Sequence, residues 1–285
     1  MTKTLIIGAN GVVGSEVAKN LASYGHELRK TTHREPTAAE EVQVNLKTGE
    51  GLEAAFEGID RAFFMAPSGD PEQDKLLKPL IEAAQKHQLK KVVMMTAMGA
   101  DAVESSPMRQ AEIALENSGI AYAIVRPNWF MQNFHTFWLG GILARGVIAL
   151  PTGDAKGSFI DARDIGAVIA TLLNSDAPEH QNKAFNLTGP ESLNHDEVAA
   201  ILTEVTGRQI RYEDTAPETV KQGLVQAGLS EGYSDFLLMI LDAFKQGYSA
   251  AITPDVEAII GREPITFAQY ARDYRTQYQP EPVSV

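Results

Sequence analysis

Residues 4–14 read Thr4-Leu5-Ile6-Ile7-Gly8-Ala9-Asn10-Gly11-Val12-Val13-Gly14. The apolar run up to Ile7 has the character of a buried first strand. Beyond the glycines, Val13, Val17 and Leu21 recur at four-residue spacing, the signature of one helix face. Strand, glycine turn and amphipathic helix, in that order, form the context a dinucleotide fingerprint requires. One glycine lets the chain turn sharply, one lets the backbone approach a pyrophosphate, and one lets helix pack close to strand. The helix start then offers unpaired N–H groups and a positive dipole end to phosphate. The spacing is G-x-x-G-x-x-G rather than G-x-G-x-x-G, so position after a strand and before a helix carries the reading. Gly8, Asn10, Gly11, Val12, Val13 and Gly14 are the expected cofactor-binding residues of this turn.

Outward from that stretch, strand and helix signals alternate. Strands are expected at 26–32, 42–44, 61–65, 92–96 and 121–126, and helices at 52–56, 71–87 and from Ser106-Pro107 to Gly119. Such alternation gives a parallel sheet with helices on both faces. After Phe130 the rhythm changes. An aromatic, helix-like stretch runs to Arg145, a turn-rich loop spans 151–157, and an apolar helix ends near Leu173. A strand at 184–187 and helices at 194–206, 218–227 and 234–245 follow, and the stretch 270–285 reads as a frayed tail. The fold expected is α/β: a Rossmann-type doubly wound parallel sheet with a smaller, mainly helical C-terminal substrate domain. Residues 1–150 would form the dinucleotide-binding domain, with 158–190 partly returning to it, and 191–285 the substrate-binding region.

The bulk properties narrow the classes. The 285 residues carry a net charge of −12 and no cysteine. An acidic surface repels nucleic-acid phosphate and anionic membranes. Lack of cysteine excludes disulfides, thiolate nucleophiles and Cys-ligated metals. The chain enters its first strand at once, so no signal peptide is expected, and no apolar run approaches the ~20 residues that span a bilayer. The six histidines show no metal-ligand spacing, and no G-x-S-x-G elbow is present. The expectation is a cytoplasmic protein that acts on a small molecule, without direct nucleic-acid, membrane or metal binding; a homodimer would be ordinary for this class.

Cofactor choice turns on the end of the second strand. A chain selecting the non-phosphorylated cofactor places an acid there to bond the ribose 2′-hydroxyl. This chain has Lys30-Thr31-Thr32-His33-Arg34. Arg34 can make a bidentate, charge-assisted contact with a 2′-phosphate, and Thr32 can add a hydrogen bond. NADPH is therefore the expected cofactor.

The glycine turn, Arg34, Val125-Arg126-Pro127-Asn128-Trp129-Phe130, Pro151-Thr152-Gly153-Asp154, Phe159-Ile160-Asp161-Ala162-Arg163-Asp164-Ile165-Gly166 and Phe185-Asn186-Leu187-Thr188-Gly189 together resemble the NmrA-like branch of the atypical short-chain dehydrogenases/reductases. The resemblance covers nearly the whole chain and lies closest to NADPH-dependent quinone and triphenylmethane-dye reductases. It implies NADPH as cofactor and hydride transfer to a quinone-like or other conjugated acceptor. It is equally compatible with a non-catalytic NADP(H) sensor acting through a protein partner, since NmrA itself resembles such a regulator. One departure matters. Where the wider family has Tyr-x-x-x-Lys, this chain has Glu104-Ser105-Ser106-Pro107-Met108. Without a phenol tuned by a lysine, alcohol dehydrogenation or sugar epimerisation by that route is disfavoured. An already activated acceptor needs mainly alignment with the nicotinamide.

Ligands of open α/β sheets sit beyond the carboxyl ends of the strands. Ala66 and Pro67 would flank the cofactor by shape, with Thr96 and Ala97 beside it. Thr96 falls where the resemblance implies the catalytic serine of the wider family; its hydroxyl either bonds ligand or caps local backbone. Met98, Asn128, Trp129, Phe130 and Asn133 are the candidate substrate pocket, a flat aromatic slot in which Asn128 would bond a quinone oxygen. The alternative reading of Trp129 and Phe130 is core, and for Trp129 it is the favoured one. His135 is a candidate proton donor, or a structural histidine. Asp161, Arg163 and Asp164 are read as an ion pair that holds a loop, and Glu112 as structural.

Overall fold

The computed structural model describes residues 1–67 and 69–279. Its strands are β1 (Lys3–Ile6), β2 (Glu27–Thr32), β3 (Glu41–Gln43), β4 (Arg61–Met65), β5 (Lys91–Met95), β6 (Ala121–Pro127), β7 (Val147–Leu150), β8 (Lys183–Leu187) and β9 (Arg211–Asp214). Its helices are α1 (Val12–Ser23), α2 (Leu52–Phe56), α3 (Gln73–Lys86), α4 (Pro107–Glu116), α5 (Leu139–Arg145), α6 (Ala162–Asn174), α7 (His195–Thr206), α8 (Pro217–Gln226), α9 (Glu231–Lys245), α10 (Asp255–Ile260) and α11 (Phe267–Asp273).

Two compact units form. The first takes Met1–Pro127, Ala162–Leu187 and Pro254–Arg262. The second takes Asn128–Asp161, Thr188–Thr253 and, of the described residues, 263–279. The sequence reading draws its first boundary near 150, whereas the chain changes unit at Pro127. Strand β6 ends there, and the next fully buried apolar side chains, Met131 and Phe134, join the core of the second unit.

The first unit is built on a seven-stranded parallel sheet of order β3-β2-β1-β4-β5-β6-β8. Its central strands are short runs of apolar residues buried on both faces, as a parallel sheet demands; Leu5, Ile6, Ala62, Phe63, Phe64, Val92 and Val93 are fully buried. Leu5, Phe64 and Met94 share a core with residues of α2, α3 and α4. Helix α6 approaches α1 so closely that a Cβ on Gly166 would lie 2.5 Å from Glu16 Cβ. The strand order reverses between β1 and β4, which is the switch point where such sheets bind ligands.

The second unit is mainly helical and holds a two-stranded parallel ribbon of β7 and β9. Its core is aromatic: Phe134, Phe159, Phe244, Phe267, Tyr270 and Tyr278 are all buried. The aromatic stretch after Phe130, read as one helix, is a 3-10 turn at Met131–His135 followed by α5. The segment expected to fray is instead packed through 279: Tyr278 is fully buried and its hydroxyl meets that of Tyr270 at 2.8 Å. The remainder of that tail, 280–285, lies outside the described residues.

Candidate active site

The glycine turn shows three different constraints. Gly8 has φ +73°, and a Cβ there would stand 3.1 Å from Met65 Sδ. A Cβ on Gly14 would fall 2.1 Å from the Gly8 carbonyl oxygen, so α1 can lie against the end of β1 only with glycine here. At Gly11 the nearest atom to an added Cβ is the Gly8 oxygen at 3.3 Å, and the outer side is open. Gly8, Asn10, Gly11 and Val12 are exposed, whereas Val13 and Gly14 are buried and act through packing. Among the described residues no side chain caps α1. Its first N–H groups, like those of any first helical turn, have no intrahelical partners. This is a cradle that a side chain would fill, and it fits a pyrophosphate.

The turn is tied to the sheet by a residue the sequence reading passed over. Gly8 N donates to Thr31 Oγ1 at 3.2 Å, and that hydroxyl donates to the Ile6 carbonyl at 3.2 Å. At the end of β2, Thr32 is buried and its hydroxyl accepts from Arg34 N at 3.1 Å. Thr32 thus helps to fix the backbone that carries Arg34. The Arg34 side chain is exposed and forms no ion pair among the described residues. Glu41 Oε2 accepts from Thr37 N at 2.7 Å and Thr37 Oγ1 at 3.0 Å. Those bonds, with one from Asn10 of the glycine turn, lower the pKa of the Glu41 carboxyl.

Beyond the other strand ends lie Ala66, half-buried, and Pro67, exposed, after β4, and Thr96-Ala97-Met98, half-buried, after β5. Thr96 N donates to the Val125 carbonyl and Met98 N to the Pro127 carbonyl, each at 3.0 Å, so this segment continues the line of β5 rigidly. Under it lies a buried charge network. Glu112, on α4, has no exposed surface. Its Oε1 accepts from Thr96 Oγ1 at 2.7 Å and Arg126 Nε at 2.9 Å, and its Oε2 from Arg126 Nη2 at 2.6 Å and Arg109 Nη1 at 3.1 Å. Arg126 also reaches Asp101 at 2.5 Å, and Arg109 holds Glu116. The sequence reading made Glu112 structural without giving it these partners. The signal for this arrangement was a lone acid on the apolar face of α4, between Ala111 and Leu115, and an arginine at the end of an apolar strand.

In the second unit the candidates have structural duties. Asn128 is buried. Its amide donates to Ser158 Oγ at 2.7 Å and the Ser249 carbonyl at 2.8 Å, and its carbonyl accepts from Trp129 N at 2.9 Å. These bonds use the amide within the unit and leave it unsuited to a ligand oxygen. His135 Nδ1 meets Tyr270 Oη at 2.6 Å, and its ring stacks on Tyr270 and Tyr274. Burial lowers its pKa, which disfavours the protonated form an acid needs. Trp129 stacks on Trp138 and meets Phe244 edge-on, while Phe130 and Asn133 are half-buried. Asp161 accepts from Gln132 at 3.0 Å, while in the first unit Asp164 pairs with Arg262 at 2.7 Å.

With the cradle and its strand-end neighbours in place, the comparison with known families is decisive: the family model described as NAD(P)H-binding matches residues 8–176. The chain belongs to the NAD(P)H-binding family. It is an NAD(P)H-dependent oxidoreductase of NmrA-like fold. This family member is 31% identical to the NAD(P)H azoreductase of Xenophilus azovorans over 96% of this chain and 98% of that one. It is 28% identical to the prestalk A differentiation protein A of Dictyostelium discoideum, over 94% and 91%. Among solved structures, triphenylmethane reductase of Citrobacter sp. complexed with NADP(H) superposes with a TM-score of 0.83 at 21% identity, covering 96% of this chain and 99% of that one. That likeness shows a shared fold.

Proposed function

We propose that this oxidoreductase uses NADPH to reduce a flat, conjugated small molecule such as a quinone or a cationic dye. The observation that carries the reading is at the start of α4. Glu104 is exposed and Met108, half-buried, sits in the first helical turn, so neither phenol nor ammonium stands where a carbonyl reductase would hold its proton donor. A conjugated acceptor needs no such donor: hydride addition to a quinone leaves an anion that takes a proton from water, and hydride addition to a cationic dye gives a neutral product that needs none. The relative named as an azoreductase and the structural neighbour named as a triphenylmethane reductase support this acceptor class.

The residues proposed for the cofactor all belong to the first unit. Gly8, Asn10, Gly11 and Val12 present backbone to the pyrophosphate, with Val13 and Gly14 packing α1 beneath it. Arg34 is the candidate for the 2′-phosphate, because no described acid neutralises its guanidinium. With the adenosine end held beyond β2, the nicotinamide half is directed across β1 toward Ala66, Pro67, Thr96 and Ala97. Bound there, the cofactor supplies a hydride. Met98 offers an apolar wall near that end. Asn128 and His135 are withdrawn as contacts to the acceptor by the bonds described above.

Deuterium transfer tests the reading. NADPH labelled at C4 is mixed with a triarylmethane dye, whose central carbon keeps the hydrogen it receives. Deuterium on that carbon, from one face of the cofactor only, is expected. Dye reduction without the label would contradict direct hydride transfer.

A further inference from the structure

Thr96 follows the end of β5 with its hydroxyl 2.7 Å from Glu112, and Glu112, ion-paired with Arg126 and Arg109, has acceptor atoms only. The proton on that bond therefore belongs to Thr96 and points down into the protein. Glu112 cannot turn away to release it. Both its oxygens are held by Arg126, one also by Arg109, and the carboxylate has no exposed surface. Arg126 is anchored in turn by Asp101. What Thr96 leaves outward is lone pairs. A sugar hydroxyl can be met by either polarity, but an amino group can be met only by an acceptor.

We infer that Glu112, backed by Arg126, is a positioning residue: it fixes Thr96 as an acceptor-only contact for the carboxamide N–H of the nicotinamide. The inference rests on the proposed placement of the cofactor along the strand ends. It assigns Thr96 a cofactor-orienting role and removes it as a proton donor to substrate, since its proton is held on the far side.

Binding measurements separate the possibilities. The probes are NADPH and its reduced 3-acetylpyridine analogue, which keeps the carbonyl but has a methyl in place of the amino group. Thr96→Val should weaken NADPH by about fivefold, the usual worth of one hydrogen bond, and leave the analogue within a factor of two. Thr96→Ser should bind NADPH like the parent. Glu112→Gln, whose amide can donate to Thr96, should lower the ratio of NADPH to analogue affinity, a change that a purely structural acid would not produce. Equal weakening of both cofactors by Thr96→Val, or none of either, overturns the inference. Adenosine 2′,5′-bisphosphate, which lacks the nicotinamide half, tells this failure from failure of the site itself. It should bind the parent and Thr96→Val alike and be weakened by Arg34→Ala. If Arg34→Ala leaves it unchanged, the cofactor placement is wrong, and the inference falls with it.

Discussion

Gly11 and Gly14 stand three residues apart in one turn and answer to different forces. A methyl on Gly14 would enter the Gly8 peptide, at 2.1 Å from its oxygen and 2.8 Å from its carbon, so backbone must move. Gly14→Ala should cost about 3 kcal/mol of stability, the upper end of overpacking effects, and cofactor binding should fall with it. A methyl on Gly11 meets only one oxygen at 3.3 Å and otherwise points out. Gly11→Ala should fold within about 1 kcal/mol of the parent yet bind NADPH more than about tenfold more weakly, because the methyl stands where the pyrophosphate must approach. Denaturant unfolding and a fluorescence titration on both variants check the pair; a Gly11→Ala protein with unchanged affinity would move the pyrophosphate elsewhere. Arg34 belongs to the same scale. A charge-assisted bond to a phosphate contributes about 1.5–3 kcal/mol. Arg34→Ala should thus weaken NADPH by about 10- to 100-fold and leave NADH nearly unchanged; equal losses would refute the 2′-phosphate assignment.

At the scale of elements, α7 opens with a capping box, Asn194 accepting from Glu197 N at 2.8 Å while Glu197 accepts from Asn194 N at 2.8 Å. The first residue of that helix, His195, is buried among Phe134, Trp138, Phe159, Tyr212 and Phe244, with Thr152 Oγ1 2.9 Å from Nδ1. Burial pushes its pKa down to about 4. Unfolded, a histidine titrates near 6.5. Below that pH the unfolded chain takes up a proton that the folded chain refuses, so stability falls as pH drops from about 6.5 toward 4 and is unaffected above 6.5. The loss from this residue is about 2 kcal/mol at pH 5. Unfolding of the parent and His195→Phe at pH 7 and pH 5 should show a shallower acid loss in the variant; identical slopes would show that the imidazole is not held neutral. The capped helices, such as α4 behind Ser106-Pro107, were legible because their signals are local. The ribbon of β7 and β9 was not. Each strand has four residues, and their pairing joins segments some sixty residues apart, which no periodicity announces.

For the whole molecule, the parallel sheet and the family were legible because a parallel sheet buries continuous apolar runs and its first turn needs particular glycines. The division into units was less so. Segments 162–187 and 254–262 return to the first unit after the chain has entered the second, and 254–262 carries no motif that marks its destination. The candidate site divides the same way. The cofactor cradle could be read from backbone demands. The roles of Asn128 and His135 could not, because only the fold shows Ser158, Ser249 and Tyr270 taking their hydrogen bonds. The same holds for Thr96, whose polarity is set by an acid sixteen residues on.

The most direct test of the central claim is NADPH oxidation by the purified protein across a panel of quinones and cationic triarylmethane dyes, with NADH measured in parallel. The account predicts turnover of at least one conjugated acceptor, with kcat/KM for NADPH at least about tenfold above that for NADH, as one charge-assisted contact to the 2′-phosphate implies. Tight NADPH binding with no turnover of any acceptor would contradict the reductase reading and leave a nucleotide-binding regulator in its place.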